Sequence, residues 1–296
     1  MVLPAGDKSS NVWSTVDVVI PVYGERPGAL EATLSACVKQ SHPIARIFVV
    51  DDGSPEPVLL PDWAQSSPQI SLLRLPQNQG ISVARNAAIA LSNAPLLACI
   101  NTEVLPDPDW LTACAGHIEG HPGVGACYTR LISATPHRLL TRWRMRFLET
   151  KFGEQSGASE FAPGHAVLFR KEALDAVGGY DVRYRLHHED SDICERMRKA
   201  GWETHYLAEG HCTSIQKDTL KQIAAKELRE SYWYSPAGGS LLRLYFYLSK
   251  WTIIRAGRNL ATGRLYFLPV DAAIWASALW TATLRTLRFR AGDRPK

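Results

Sequence analysis

Ile44-Ala45-Arg46-Ile47-Phe48-Val49-Val50-Asp51-Asp52-Gly53-Ser54 is a short β-branched run that ends in two acids, a glycine and a serine. The apolar part reads as a buried strand and the polar tetrad as the turn that leaves it. The same pattern stands upstream in Val16-Asp17-Val18-Val19-Ile20-Pro21-Val22-Tyr23. It returns downstream at 71–75 and at 95–100, where the run passes into Asn101-Thr102-Glu103. Helix-spaced segments at 29–38, 81–91 and 108–118 lie between and after these runs. This alternation predicts an α/β fold: a Rossmann-like, mostly parallel central sheet flanked by helices. Ligands of such sheets bind beyond the carboxyl ends of the strands. The tips Tyr23-Gly24-Glu25, Asp51-Asp52-Gly53 and Asn101-Thr102-Glu103 are therefore expected along one edge.

The second half is less regular. Strands are expected at 125–132, 166–169 and 204–207, and a short helix at 171–177 stopped by Gly178-Gly179-Tyr180-Asp181. Pro136 to Phe152 is basic and aromatic and reads as a helix with a loop. His187-His188-Glu189-Asp190-Ser191-Asp192 opens a helix that stops at Gly201. Acids at a helix start are favoured by the exposed N–H groups there. On local pattern the cluster is either a cap or the mouth of a site.

The charge is unevenly spread. From Lys221 onward there are 13 Lys and Arg against 4 Asp and Glu, whereas the first 220 residues hold 20 against 25. That split places a boundary near residue 220: a lead at 1–15, a main domain at 16–220 and a helical basic C-terminal extension at 221–296. The extension carries apolar stretches at 241–254 and 265–284, the second long enough to cross a bilayer but holding Pro269 and Asp271. Three readings stand for it: amphipathic helices on an anionic membrane surface, a helical cap, or a span. Nucleic acid is not indicated, because the basic tail is apolar between its charges. Six scattered cysteines without a C-x-x-C pair read as reduced, buried thiols. Residues 1–15 have no apolar core of signal-peptide length, so a cytoplasmic chain is expected, peripheral at the inner face of the cell membrane.

Taken together, Ile20-Pro21-Val22-Tyr23, Val49-Val50-Asp51-Asp52-Gly53-Ser54, Asn78-Gln79-Gly80 with Ala84-Arg85-Asn86, Asn101-Thr102-Glu103, Val177-Gly178-Gly179-Tyr180-Asp181, and Glu189-Asp190-Ser191-Asp192 with Arg196 and Gly201-Trp202 resemble family 2 glycosyltransferases, in order and spacing. The resemblance covers about 16–214 and is closest to the bacterial polysaccharide and rhamnosyltransferase branches. It implies a GT-A fold with a nucleotide-binding half (16–105) and an acceptor half (106–220). It also implies inverting transfer from a nucleotide-diphosphate sugar to a saccharide or lipid-linked acceptor, in polysaccharide or glycolipid synthesis. UDP is the commonest donor nucleotide in the family, with dTDP and GDP open. By the same resemblance Asp190 is the catalytic base. Pro21, Tyr23, Glu25, Asp51, Asp52, Arg85 and Asn101 bind the nucleotide sugar, and Gly164, His165, His188 and Glu189 line the acceptor pocket. Glu103 and His211 hold Mg2+ or Mn2+, and the basic segment around Arg142 to Arg146 adds positive charge at the diphosphate.

Two departures from the family pattern stand out. The usual Asp-x-Asp reads Asn-Thr-Glu, and the extra methylene of Glu103 moves its carboxylate by roughly an ångström, whereas Mg2+ is strict about geometry. The Gln-x-x-Arg-Trp motif of processive polymerases is missing after Trp202, which argues for transfer of one or few sugars. The competing readings are a non-catalytic nucleotide-sugar-binding partner subunit, for which only Asn-Thr-Glu speaks, and a nucleotidyltransferase, which lacks its triphosphate loop after the first strand.

Overall fold

The computed structural model describes residues 14–24, 26, 28–149, 153–185, 187–233 and 241–290. The described residues form two compact units, 1–134 with 149–216 and 135–148 with 217–296. The second unit thus takes in the 135–148 segment as well as the tail, which the charge split near residue 220 did not reveal.

The first unit is built on a single sheet. Its elements in chain order are β1 (Val16–Val22), α1 (Ala29–Val38), β2 (Ile44–Asp51), α2 (Asp62–Gln65), β3 (Ile70–Arg74), α3 (Ile81–Leu91), β4 (Leu96–Ile100), β5 (Val104–Pro106), α4 (Trp110–Gly120) and β6 (Val124–Ser133). After α5 (Leu139–Glu149), which belongs to the second unit, follow β7 (Gly157–Ser159), β8 (Ala166–Arg170), α6 (Lys171–Ala176), α7 (Glu189–Lys199) and β9 (Glu203–Ser214). The strand order is β3-β2-β1-β4-β8-β6-β9-β5, with β7 on β9. β3, β2, β1 and β4 are parallel, and β8 enters antiparallel between β4 and β6. Every residue of β1 is buried, which fits its unbroken apolar run in the middle of a sheet covered on both faces.

The short helix α2 was not foreseen in the sequence, and three strands were missed or foreseen only in part. β5 and β7 have three residues each, and β9 runs for twelve where a strand of four was expected. The extra length of β9 carries Glu209, Gly210 and His211, whose polarity hides the strand pattern. The acidic helix α7 stops as expected. Gly201 takes φ 89, its N–H reaches the Arg198 carbonyl, and the Trp202 N–H reaches the Met197 carbonyl, a Schellman ending.

The second unit consists of α5, α8 (Leu220–Trp233), α9 (Leu241–Ala261) and α10 (Leu268–Arg290). Trp143, Leu228, Leu244, Leu248, Phe267 and Ile274 fill its core. Asp271, which sequence places alone in an apolar stretch, is 1% exposed and far from alone. It accepts hydrogen bonds from Trp143 Nε1, Arg146 Nη2 and Asn259 Nδ2. The basic segment expected at a diphosphate is likewise engaged within this unit: Arg146 pairs with Asp271, Arg144 with Asp218, and Arg142 donates to the Tyr266 hydroxyl. All six cysteines are free and buried.

Removing Asp271 leaves Arg146 in the core without its counter-charge. Asp271→Ala is expected to cost about 3–5 kcal/mol, read as a fall in the thermal unfolding midpoint. Asp271→Asn should cost less, because its amide oxygen still accepts the Trp143 N–H.

Candidate active site

The tips of β1 and β2 are joined before any ligand arrives. The Asp52 N–H bonds to the Val22 carbonyl at 2.8 Å, and the Gly24 N–H to Ser54 Oγ at 3.0 Å. Pro21 is buried within β1, and Tyr23 stands out from its end, 54% exposed. Glu25 lies outside the described residues.

Neither acid of the β2 tip is open in the way expected. Asp51 is buried and accepts the Ser54 and Val58 N–H groups, and Arg74 closes on its Oδ2. Burial would lift its pKa; the hydrogen bonds from Ser54 and Val58 and the charge of Arg74 outweigh that and hold it below the ordinary carboxylate range. Asp52 accepts the Gln79 N–H at 2.7 Å and the Gly80 N–H at 2.8 Å. It therefore fixes the loop that leads into α3. Gly80 is required there, since a Cβ would lie 2.7 Å from the Arg185 backbone.

Arg85 corrects the sequence reading most clearly. It was expected at the nucleotide, but its side chain is fully buried. Nη1 donates to Glu189 Oε1 at 3.1 Å, and Nη2 donates to Asn101 Oδ1 at 3.0 Å and to the Gly164 carbonyl at 2.9 Å. Its guanidinium lies 4.9 Å from the Tyr180 ring centroid. Burial opposes the charge, but Tyr180 and Glu189 raise the pKa above its ordinary value. Asn101 and Glu189 are corrected with it. The Asn101 oxygen and a Glu189 oxygen are engaged in this buried cluster, so neither is open to a ligand in the way expected. The neighbouring Asn86 clamps a second loop, donating to the Tyr180 carbonyl and accepting the Tyr180 N–H at 2.7 and 2.8 Å.

Asp190 sits in the first turn of α7 and is half-buried. Its Oδ2 accepts the Gly164 N–H at 3.0 Å and its Oδ1 the Ser191 N–H at 2.9 Å. Gly164 thus gives its carbonyl to Arg85 and its N–H to Asp190, and a Cβ on it would meet Arg85 Nη2 at 3.3 Å and Asp190 Cβ at 3.4 Å. His165 is buried, its ring bonded to the Thr129 backbone, and its own carbonyl accepts the Asn101 N–H. That environment makes it a packing residue rather than an acceptor contact. His188 precedes α7 with φ 69.

The expected metal pair does not assemble. β5 and β9 run antiparallel, so Glu103, just before β5, meets Ile215, while His211 faces Asp107 beyond the other end of β5 at 3.8 Å. Glu103 itself pairs with Arg26 at 2.9 Å. Among the described residues no three His, Cys, Asp or Glu side chains gather where they could hold an ion. The described side chains therefore do not gather a full ligand set of their own. Glu103 has φ 68, and it and His188 are the two non-glycine residues with positive φ among those described. Strained backbone of this kind is commonly kept for function. Sequence reasoning passed over Arg26, Thr33, which accepts the Glu103 N–H, and the clamp of Asn86. Only Asn86 had a signal, its place directly after Arg85.

Residues 17–178 match the family described as Glycosyl transferase family 2. The chain belongs to this family. It is 26% identical over 234 residues to an N-acetylglucosaminyltransferase of Rhizobium meliloti (strain 1021), covering 72% of this chain and 54% of the relative. It is 28% identical over 214 residues to the pre-mycofactocin glycosyltransferase of Mycobacterium tuberculosis (strain ATCC 25618 / H37Rv), covering 68% and 44%. The chain spans about half the length of these curated relatives. Among solved structures it resembles GalNAc-T7 with UDP, GalNAc and Mn2+, at TM-score 0.58 and 15% identity over 70% of this chain and 44% of that one. It also resembles the mannosyltransferase PcManGT of Pyrobaculum calidifontis with GDP-Man and Mn2+, at TM-score 0.54 and 20% identity over 94% and 81%. The fold of this family 2 chain is GT-A. The matched segment ends before Asp190.

Two outcomes test the buried framework. Arg85→Met strands Glu189 and is expected to cost about 3–5 kcal/mol, while adding Glu189→Gln should restore part of that loss in urea unfolding. The second concerns pH. Burial pulls the His165 pKa from 6.5 to about 4, against the opposing pull of the Thr129 carbonyl and Asp190. Below pH 6.5 the unfolded chain takes up a proton that the folded chain refuses, so stability present above that pH is lost as pH falls towards 4. The loss reaches up to about 3 kcal/mol. His165→Gln should flatten this part of the profile, measured as the urea midpoint at about pH 7 and about pH 4.5.

Proposed function

We propose that this chain moves a sugar, with inversion, from a nucleotide-diphosphate sugar to an acceptor hydroxyl, with Asp190 as the general base. The observation that carries this reading is the Asp190 carboxylate, held by two backbone N–H groups at the mouth of α7 and locked to Gly164 beside the Arg85 cluster. A hydroxyl is a weak nucleophile at neutral pH. Asp190 takes its proton as the oxygen attacks the anomeric carbon on the face opposite the diphosphate. The bond from carbon to phosphate oxygen breaks with its electron pair on the departing nucleoside diphosphate, so one displacement inverts the centre. General-base help of this kind is worth about 10²–10⁴-fold.

Tyr23, at the exposed tip of β1, is the group offered to the base of the nucleotide, with the Asp51 and Asp52 turns shaping the pocket edge. The names of the relatives and the UDP in one solved neighbour favour a UDP-N-acetylhexosamine donor, with GDP and dTDP sugars as the alternatives. The acceptor is a saccharide or a lipid-linked saccharide, and the setting is polysaccharide or glycolipid synthesis at the cytoplasmic face of the cell membrane. Mn2+ accompanies the nucleotide in both solved neighbours. Here Glu103 offers such an ion a single carboxylate already engaged by Arg26, so further ligands of Mg2+ or Mn2+ would come from the diphosphate and water.

The test is release of nucleoside diphosphate from UDP-, GDP- and dTDP-sugars with and without Mn2+, the product being followed by mass spectrometry. Asp190→Asn is expected to lower kcat about 10²–10⁴-fold while leaving thermal stabilisation by the nucleotide intact. Full activity in Asp190→Asn would remove the base from Asp190. Binding without release from any donor would turn the reading towards a non-catalytic partner subunit.

A further inference from the structure

We propose that the outer face of α9 docks on a membrane surface that carries anionic lipid headgroups. The second unit has an apolar core, but α9 adds buried polar groups to it and carries large apolar side chains outward. The inward seam of α9 is Leu244, Leu248, Arg255 and Asn259, all buried. Two of these four are polar: Arg255 pairs with Glu227, and Asn259 donates to Asp271. The opposite side carries Leu242, Phe246, Ile253 and Leu260, which are 63%, 62%, 69% and 59% exposed. Their spacing of four, seven and seven residues keeps them on one line of a 3.6-residue helix, with only Ser249 and Gly257 between them. α10 buries Asp271 beside Val270, Ile274 and Ala278 and likewise turns Trp280 and Leu284 outward. A helix meeting water shows polar groups outward and apolar groups inward. A line of large apolar side chains about 27 Å long is built for an apolar medium.

Charge selects the medium. The second unit holds 18 Lys and Arg against 5 Asp and Glu, and the first holds 15 against 24. Lys250, Arg258 and Arg264 are exposed on and just after α9, Tyr245 borders its apolar line, and Trp251 is exposed on another side of the helix. Such aromatic side chains favour the headgroup level, and basic groups favour anionic lipid. Nucleic acid would answer the charge but not the apolar line. A second copy of the unit would answer the apolar line but bring the same excess of positive charge. Residues 265–284 are long and apolar enough to cross a membrane by length and composition. Asp271 in the buried cluster with Arg146 and Asn259 instead fixes α10 as a packed helix, which leaves α9 to lie flat on the surface.

The proposal is independent of the transfer reaction and is tested on the full chain. Because all six native cysteines are buried, an Ile253→Cys variant can carry a single environment-sensitive nitrobenzoxadiazole dye. With phosphatidylcholine vesicles containing phosphatidylglycerol, its emission should shift to the blue and brighten, less so with phosphatidylcholine alone. The same dye at Glu172→Cys, exposed on α6, should not respond. Phe246→Glu with Ile253→Glu should lower vesicle co-sedimentation about tenfold or more and leave the melting temperature unchanged, since both positions face outward. An unresponsive dye at 253, or equal sedimentation of the double variant, overturns the proposal. So does a dimer in light scattering that Phe246→Glu dissolves without any vesicle binding, or retention on RNA in place of vesicles.

Discussion

A guanidinium with no exposed surface has to find its counter-charge and acceptors inside the protein, and Arg85 finds them on three other segments. Its own helix α3, the tip of β4 through Asn101, the chain before β8 through Gly164 and the start of α7 through Glu189 are drawn to one point. A buried ion pair contributes little net stability against an apolar alternative, but breaking one partner away is costly. Its value lies in geometry. Gly164 is shared, its carbonyl on Arg85 and its N–H on Asp190, so the carboxylate of the proposed base is tied to the buried guanidinium through this one residue.

A second layer of contacts repeats this logic. Asp52 holds the Gly80 turn, whose Ile81 N–H bonds to the Arg185 carbonyl. Asn86 clamps Tyr180 on both backbone atoms, and Arg196 donates to the carbonyls of Val177 and Gly179. Two glycines make these approaches possible. At Gly80 the backbone of Arg185 leaves no room for a side chain, and at Gly179, with φ 71, the Asn86 oxygen would lie 2.7 Å from a Cβ. The run from Asn78 to Asn86 is therefore an interlock between the two halves of the sheet. Few of the charged residues around it are left to meet a ligand. Tyr23, Glu103, His188 and Asp190 are the side chains placed at the strand tips and the helix mouth.

The sheet was legible because its first four strands carry β-branched runs with polar tips, and period and turn chemistry are local signals. The ends of the sheet were not, since β9 owes its length to pairing with β5, β6 and β7 rather than to its own sequence. The site was legible in its membership but not in its roles. Arg85 and Glu189 lie 104 positions apart, and nothing local says that they will neutralise each other. An Arg after a glycine-led loop looks the same in sequence whether it reaches phosphate or a buried carboxylate. His211 failed for a related reason. Register decides which end of a strand a side chain serves, and β9 carries His211 to Asp107, away from Glu103.

The helical unit shows the same limit and what lifts it. From sequence, an apolar stretch with one Asp and a stretch with interspersed basic residues are both ambiguous, because amphipathicity does not say which face looks outward. Asp271 settles the orientation. Once its carboxylate gathers Trp143, Arg146 and Asn259, the sides of α9 and α10 that carry Asn259 and Asp271 must face inward, beside Leu244, Leu248 and Ile274. The apolar residues on the opposite side of α9 are thereby turned to the surface. A buried polar cluster of this kind need not add stability; it can serve to specify one packing over others. The packing it specifies leaves Leu242, Phe246, Ile253 and Leu260 in line on the outside, at a cost in exposed apolar area that an apolar medium would offset.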